Sequence, residues 1–570
     1  MTNPQICFAD TYFDGLSLLY DRREAIRRTT VKAQLQKLRD TGRFDCFKLQ
    51  WHPVYDEDYP WPVPKSLFWD SDIAKWIEGA CYFLTQSYDQ DVDAAVCELV
   101  QDICRAQQDD GYLNVYFTVV DPAARWSNIR DQHELYNAGH LIEAALAHCA
   151  YYHTDVLLKP IEKYVALLYR EFGPGPGQRR AYPGHPEIEL ALLRLHKATG
   201  SMMAYDLARY FLEERGTLRP TPCGSTSNNT GDNTSSYEGA LLLYYDWEEK
   251  KRGDSPWKRP NAYPEARTSH WYNQAHVPIR EQKSVEGHAV RSMYLLTAVA
   301  DMVYIGVERP VGDEMTWKTA LDRLWNNMVD KKMSMTGGIG AIAQWEGFGR
   351  DYFLPQGTDE GGCYNETCAA IGVMMLAERL LELDLDSRYA DIMELCLYNA
   401  VLTAMSLDGK SFTYINQLSS SDTNKSERYS WFECACCPPN LMRLFGSLGG
   451  YLWDYNSGPG SELFVNVHLY TSATLSFCLA AKAGDQVENK AWAKGNFTVF
   501  KRLEHLKRHQ RGHQLDERLA CSVCAKTFTR SRLWWHICNE HRRLTDSMYS
   551  TNEAKSTIYL GLNTIATRYS

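Results

Sequence analysis

The chain has 570 residues, 44% hydrophobic and 23% charged, with a formal net charge of −10. The composition is globular, and the acidic balance argues against a chain that binds nucleic acid as a whole. No run reaches about 18 apolar residues, so no membrane span is expected. Length alone gives about three to four domains of roughly 150 residues, a prior that large toroids and barrels break. At the start, "MTNPQICFADTYF" has no basic segment followed by an apolar one. Seventeen cysteines are thinly spread and odd in number, so a reducing, cytoplasmic setting is expected rather than a disulfide scaffold.

From about residue 15 to 455 apolar residues recur at three- and four-residue steps. The pattern is seen in "DIAKWIEGACYFLTQ", "AVCELVQDICRAQ", "ELYNAGHLIEAALAHCAYY", "EIELALLRLHKATG", "MYLLTAVADMVYIGV", "ALDRLWNNMV", "AAIGVMMLAERLLEL" and "ADIMELCLYNAVLTAM". It amounts to about twelve helices. Long loops rich in Gly, Pro, Trp and Tyr separate them, such as "HPVYDEDYPWPVPKSLFWD". Repeated antiparallel pairs with aromatic loops suggest an α/α toroid with a carbohydrate-style pocket; an ordinary helical solenoid is the alternative. The domain expectation is a helical unit over 1–455, then a short β segment over 456–490 and a distinct tail over 500–545. "ELFVNVHLYTSATLSF" alternates like strands, and the "AAKAGDQVENKAWAKGN" that follows reads as polar and irregular. Residues 501–550 carry 11 Lys and Arg against 5 Asp and Glu, which marks a junction between unlike pieces.

Three cysteines fall within four residues in "WFECACCPPN": Cys434, Cys436 and Cys437. Pro438 and Pro439 favour an extended or turn backbone before them. Adjacent Cys436 and Cys437 share no face of a regular element, so both reach one ion only from an irregular loop. "CYNETCAAIGVMM" adds Glu366 and Cys368 at the start of a helix, with Asn365 as the expected N-cap. One Glu and three Cys suit zinc; buried free cysteines packing as small hydrophobes are the alternative. Cys363 and Cys434 are spare.

"GGIGAIAQWEGFGRDYFLP" places Glu346 in an aromatic loop. Its "GGIG" lacks a phosphate-loop Lys-Ser/Thr. A carboxyl between Trp345 and Phe348 is expected to have a raised pKa suited to general acid work; a solvated loop glutamate is the plain alternative. His133 and His140 are seven residues apart, on one helix face. His185, His276 and His288 stand at helix entrances, where neutral imidazoles can hold sugar hydroxyls.

"FWDSDIAKWIEGA", "HELYNAGHLIEA", "GGIGAIAQWEGF", "YNETCA", "DGKSFTYIN" and "CACCPPN" occur in this order. Together they resemble glycoside hydrolase family 127, the β-L-arabinofuranosidases, over about residues 20 to 475. The resemblance implies a mainly α fold, an (α/α)6 barrel with β-sandwich additions, and a Zn(2+) ion held by Glu366, Cys368, Cys436 and Cys437. It implies Cys436 as nucleophile and Glu346 as acid/base in a retaining reaction on a small carbohydrate. It also implies sugar contacts from His140, His185, His288 and Tyr414, with His276 and Gln34 as weaker matches.

Two departures stand out. The loop between Glu346 and Glu366 looks longer than usual and adds a cysteine. The tail resembles fungal Cys-Cys-His-His zinc fingers where a β-sandwich is expected to continue. Cys521, Cys524, His536 and His541 form one near-complete finger, with 11 residues between Cys524 and His536, one short of the usual spacing. His509 and His513 look like the second half of another. Hence the expectation of a truncated hydrolase joined to a finger fragment. Weak nucleic-acid binding by the tail, with nuclear location, is one alternative. An inactive barrel with structural zinc is another. Homodimerisation is left open.

Overall fold

In the computed structural model of this chain, the described residues are 8–15, 17–50, 67–220, 241–242, 244, 270–308, 312–357, 359, 362–457, 463–479, 493–499, 519–520, 527–528 and 558–560. Two compact units form. One is Arg22–Ser447; in the other, Met1–Asp21 joins Leu448–Ser570. The division falls at residues 21 and 447, where the end of the helical periodicity suggested 455.

The larger unit carries twelve helices of eight or more residues among the described residues beyond Val31. They are α1 (Val31–Asp40), α2 (Trp69–Leu84), α3 (Gln90–Ala106), α4 (Glu134–Tyr152), α5 (Leu158–Glu171) and α6 (Ile188–Thr199). Then come α7 (Met202–Glu214), α8 (Ala289–Glu308), α9 (Glu314–Lys331), α10 (Thr367–Leu383), α11 (Ser387–Leu395) and α12 (Cys437–Ser447). The even-numbered helices pack side by side in chain order, and α12 returns onto α2, which closes a ring of six. The odd-numbered helices pack on these: α3 on α2, α5 on α4, α7 on α6, α9 on α8, α11 on α10, and α1 on both α2 and α12. This is an (α/α)6 barrel, as the toroid reading expected, and it excludes an open solenoid.

Burial separates the two layers. Every residue of α2 and of α12 is buried, so these helices are enclosed all round. In α3 the buried residues include Val92, Val96, Leu99 and Ile103, one stripe at helical spacing. Local signals set several ends. Asp89 Oδ1 accepts from the backbone N–H of Asp91 and Val92 to start α3. Gly200, at φ 76°, stops α6. The single helix expected over "ADIMELCLYNAVLTAM" is broken: α11 ends at Leu395, followed by a π-helical turn over Cys396–Val401 and a 3-10 turn over Leu402–Ala404.

Buried ion pairs stitch the ring. Arg443 Nη1 on α12 donates to Glu78 Oε2 on α2 at 2.6 Å and to Glu143 Oε2 on α4 at 2.5 Å. Arg194 on α6 also pairs with Glu143, and Arg379 Nε on α10 reaches Asp301 Oδ1 on α8 at 2.7 Å. Desolvating a charge this deep is costly, and pairing offsets part of that cost.

In the smaller unit β1 (Thr11–Phe13) and β5 (Ala493–Val499) flank β4 (Ala473–Leu479), all antiparallel, with Thr11 opposite Leu475 and Ala473 opposite Val499. β2 (Trp453–Ser457) and β3 (Leu463–Val467) pair in a second sheet, Trp453 opposite Val467. Trp453 Nε1 donates to Thr11 Oγ1 at 3.0 Å and ties the two sheets. The strands expected from "ELFVNVHLYTSATLSF" are β3 and β4. β5 takes in Ala493–Asn496, the end of the stretch expected to be irregular, because cross-strand pairing outweighs their weak pattern; residues 480–492 lie outside the described residues. The finger-like Cys521, Cys524, His536 and His541, and also His509 and His513, lie outside the described residues. Among the described residues no helix is long and apolar enough to cross a membrane.

Replacing Arg443 by Ala leaves Glu78 and Glu143 without that partner in the barrel interior. The expected loss is about 3–5 kcal/mol of stability, read as a lower urea midpoint with far-UV circular dichroism.

Candidate active site

All six ring helices contribute to one cavity, and all do so from their N-terminal ends. Asp72 and Lys75 come from the first turns of α2, Tyr136 from the start of α4, and His185 from the turn before α6. His288 and Arg291 flank the start of α8, Glu366 and Cys368 that of α10, Cys436 and Asn440 that of α12. The cavity measures about 340 Å³, near the lower end of the range of about 300–1,000 Å³ for small-molecule sites. Helix N-termini carry partial positive charge and unsatisfied N–H groups, so this end of the ring favours anions and ionised thiols.

The thiols and one carboxylate converge. Cys368 Sγ lies 3.5 Å from Cys436 Sγ and 3.3 Å from Cys437 Sγ, and Cys436 and Cys437 are 3.7 Å apart. Glu366 Oε1 is 3.2 Å from Cys436 Sγ and 3.7 Å from Cys437 Sγ. All four ligand atoms lie within 4.8 Å of one another. A disulfide needs about 2.05 Å, and all described cysteines are free. A tetrahedral ion with sulfur at about 2.3 Å sets an S···S edge of about 3.8 Å, close to what these thiols already show, so the group fits a metal ion. Its electrostatics point the same way. Burial, then the neighbouring Cys436, pushes the Glu366 carboxyl well above its usual range. Burial also pushes Cys437 well up. Burial raises Cys368 too, but hydrogen bonds from Cys436 and Cys437 outweigh it and bring it to about 7. A cation removes the conflict among four acidic groups in one buried spot.

The backbone that presents the two adjacent thiols is half regular. Cys437 is the first residue of α12 and Cys436 precedes it. The prolines sit in the first turn, where their missing N–H groups are not needed. The expectation of a wholly irregular loop therefore holds only for Cys436. Gln34 Nε2 donates to Pro438 O at 2.9 Å. Arg43 Nη2 donates to Glu433 O at 2.7 Å, while its Nε holds Asp72. Asn440 Nδ2 reaches Cys368 Sγ at 3.1 Å, and the Tyr414 hydroxyl lies 3.1 Å from Cys436 Sγ. At α10 the N-cap is Glu366, not Asn365. Asn365, at φ 42°, uses its side chain on Ser334 Oγ instead.

Glu346 ends a 3-10 turn in the left-handed region, φ 55°. The turn rests on the buried Trp271, Ile342 and Trp345. Beside it, Gly347 is obligatory: a Cβ there would stand 1.9 Å from Gly287 O. Glu346 Oε2 accepts from His288 Nε2 at 2.9 Å, and Glu346, His288 and Glu366 present ligand atoms within 4.8 Å of one another. Burial raises the Glu346 carboxyl, but the hydrogen bond from His288 prevails and holds it below the usual range. The expected raised pKa is thus corrected: Trp345 belongs to the supporting cluster, and a histidine, not a hydrophobic wall, faces the carboxylate.

His185, His288 and Tyr414 line the cavity as expected. His133 does as well, its pKa lowered to about 3 by burial and then the charge of Arg291. Burial also keeps His185 well below its ordinary value, so these imidazoles are neutral. His140 is fully buried beneath the cavity, Nδ1 3.0 Å from Glu187 Oε1. His276 and Gln34 are not cavity residues either. Burial, then Lys332, takes His276 down to about 4. Of the spare thiols, Cys434 lines the cavity, whereas Cys363 packs 3.3 Å from Leu418 N. Asp72, Lys75, Tyr136, Tyr272, Arg291 and Asn440 also line it and were not anticipated. Charged residues inside the apolar "FWDSDIAKWIEGA" were an available signal; Tyr272 carried none.

A family model described as the catalytic domain of GH127 β-L-arabinofuranosidase matches residues 16–450. A non-reducing end β-L-arabinofuranosidase from Bifidobacterium longum subsp. longum is 33% identical over 439 residues, 75% of this chain and 60% of that protein. The chain thus spans less than two thirds of that relative's length. Among solved structures, a GH127 β-L-arabinofuranosidase from Geobacillus stearothermophilus T6 superposes with a TM-score of 0.69 and 30% identity, over 86% of this chain and 80% of the other. A GH127 β-arabinofuranosidase gives 0.66 and 32%, over 82% and 64%.

Elemental analysis of the purified chain is expected to find close to one transition-metal ion per molecule. Cys368→Ala or Cys437→Ala should lose most of it, with an unchanged far-UV spectrum.

Proposed function

This chain belongs to the β-L-arabinofuranosidase catalytic-domain family of glycoside hydrolase family 127, and from that premise we propose that it is a retaining glycoside hydrolase releasing L-arabinofuranose from a non-reducing end. The carrying observation is that Cys436, grouped with Glu366, Cys368 and Cys437, opens onto the same cavity as Glu346. Of the three clustered thiols, Cys436 is the least enclosed.

In this reading Glu366, Cys368, Cys436 and Cys437 hold zinc, a choice that three sulfurs and one carboxylate favour. Bound zinc would keep the thiols ionised at neutral pH. Cys436 Sγ attacks the anomeric carbon; the C–S bond forms as the bond to the leaving oxygen breaks. Glu346 gives that oxygen its proton. Water then attacks the same carbon and passes a proton to Glu346 as the C–S bond breaks. Two displacements at one carbon retain configuration. His288 aims the carboxyl through its 2.9 Å hydrogen bond. The Tyr414 hydroxyl, 3.1 Å from Cys436 Sγ, orients the sulfur. A sugar that displaces water from the cavity favours the neutral Glu346 carboxyl.

Cys436→Ala is expected to lower turnover of an aryl β-L-arabinofuranoside by roughly 10⁴-fold or more; normal turnover in that variant sinks the reading. Glu346→Gln should lose about 10²–10⁴-fold on substrates with poor leaving groups and progressively less as the leaving group becomes more acidic. A loss independent of the leaving group would remove Glu346 from the acid role.

A further inference from the structure

Lys75 is a buried cation that makes no ion pair among the described residues. It is 1% exposed, and its only hydrogen bond among the described residues is from Nζ to the Tyr136 hydroxyl, at 2.6 Å. Arg443, by contrast, is matched to Glu78 and Glu143, and Arg379 to Asp301. An ammonium has three N–H donors, so two remain for the cavity that Lys75 lines. Asp72 stands three residues earlier, on the same helix face. It is 2% exposed and lines the cavity as well. Arg43 Nε occupies its Oδ2 at 2.8 Å, and Oδ1 has no hydrogen-bond partner among the described residues. The first turns of α2 thus present unused donors beside an unused acceptor.

A sugar hydroxyl is the group that satisfies both, since it accepts one hydrogen bond and donates another. An acidic sugar is not: Asp72, Glu346 and Glu366 already bring three carboxyl groups to a cavity whose cations are Lys75 and Arg291.

We propose that Lys75 and Asp72 together read one free hydroxyl of the sugar, Lys75 donating to its oxygen and Asp72 accepting its hydrogen. This rests on the glycosidase reading above. It adds a reason for exo action: the hydroxyl must be unsubstituted to make both bonds, so a sugar carrying a further residue there is rejected.

The test compares kcat/KM of wild type, Lys75→Met and Asp72→Asn on an aryl β-L-arabinofuranoside and on its 2-deoxy, 3-deoxy and 5-deoxy analogues. Hydrogen bonds to charged groups predict that wild type loses about ten- to a hundredfold on one analogue. Lys75→Met should lose a similar factor on the parent substrate and little more on that analogue, the non-additivity of a shared interaction. If the analogue penalty is as large in Lys75→Met as in wild type, or if wild type tolerates all three deletions, the proposal is overturned. Should Lys75→Met fail to fold by circular dichroism, Asp72→Asn decides: the penalty must shrink there too, and an unchanged one overturns the assignment. A wild type that turns over none of the furanosides refutes the glycosidase reading, and with it this assignment; turnover with an unaltered pattern refutes this assignment alone.

Discussion

Four acidic ligand groups crowd one buried spot, and their demand for positive charge organises the rest of the molecule. Glu366, Cys368, Cys436 and Cys437 lie within 4.8 Å of one another, and burial resists ionisation of all of them. Two ring helices meet that demand at close range: α10 and α12 both start at the cluster, so their unsatisfied N–H groups and partial positive charges face it. Arg43, Gln34 and Asn440 do the mechanical work. They fasten Glu433, Pro438 and Cys368 in place and hold two adjacent thiols on one point.

The ring then divides into two halves. Reactive groups enter from α8, α10 and α12, and α2, α4 and α6 contribute Asp72, Lys75, Tyr136 and His185. The support under Glu346 has its own logic. A left-handed glutamate followed by Gly347, whose backbone passes Gly287 too closely for any side chain, rests on a small tryptophan cluster. A carboxylate on such a base turns little, and His288 sets both its direction and its charge. Below the cavity, Arg443, Glu78 and Glu143 join α12, α2 and α4, so the barrel interior is held by matched charges as well as by apolar packing.

Much was legible from the chain alone. Helical periodicity gave five of the six ring helices, α2, α4, α6, α8 and α10, because they are long and continuous, while the shorter α12 starts inside the cysteine motif and was not read from it; the cysteine motifs carried the metal-site reading because few other uses need Glu-x-Cys and Cys-Cys together. Other points were not legible. The cap at α10 slipped by one residue because Asn365 found a partner in Ser334. The carboxyl of Glu346 went down rather than up because its partner, His288, lies 58 residues earlier. His140 and Gln34 carry polar side chains at helical positions that sequence spacing could place on a face but not at a depth.

The sequence by itself determined five of the six ring helices, the presence of a thiol and carboxylate donor set, and the break in character after the barrel, since each depends on residues near one another in the chain. Only the tertiary structure decided which donors meet, which histidines line the cavity, and that Lys75 and Asp72 stand at its wall with bonds to spare. Those outcomes follow from closing the ring, which brings Glu366 within 3.2 Å of a thiol 70 residues away; local pattern carries no information about that closure.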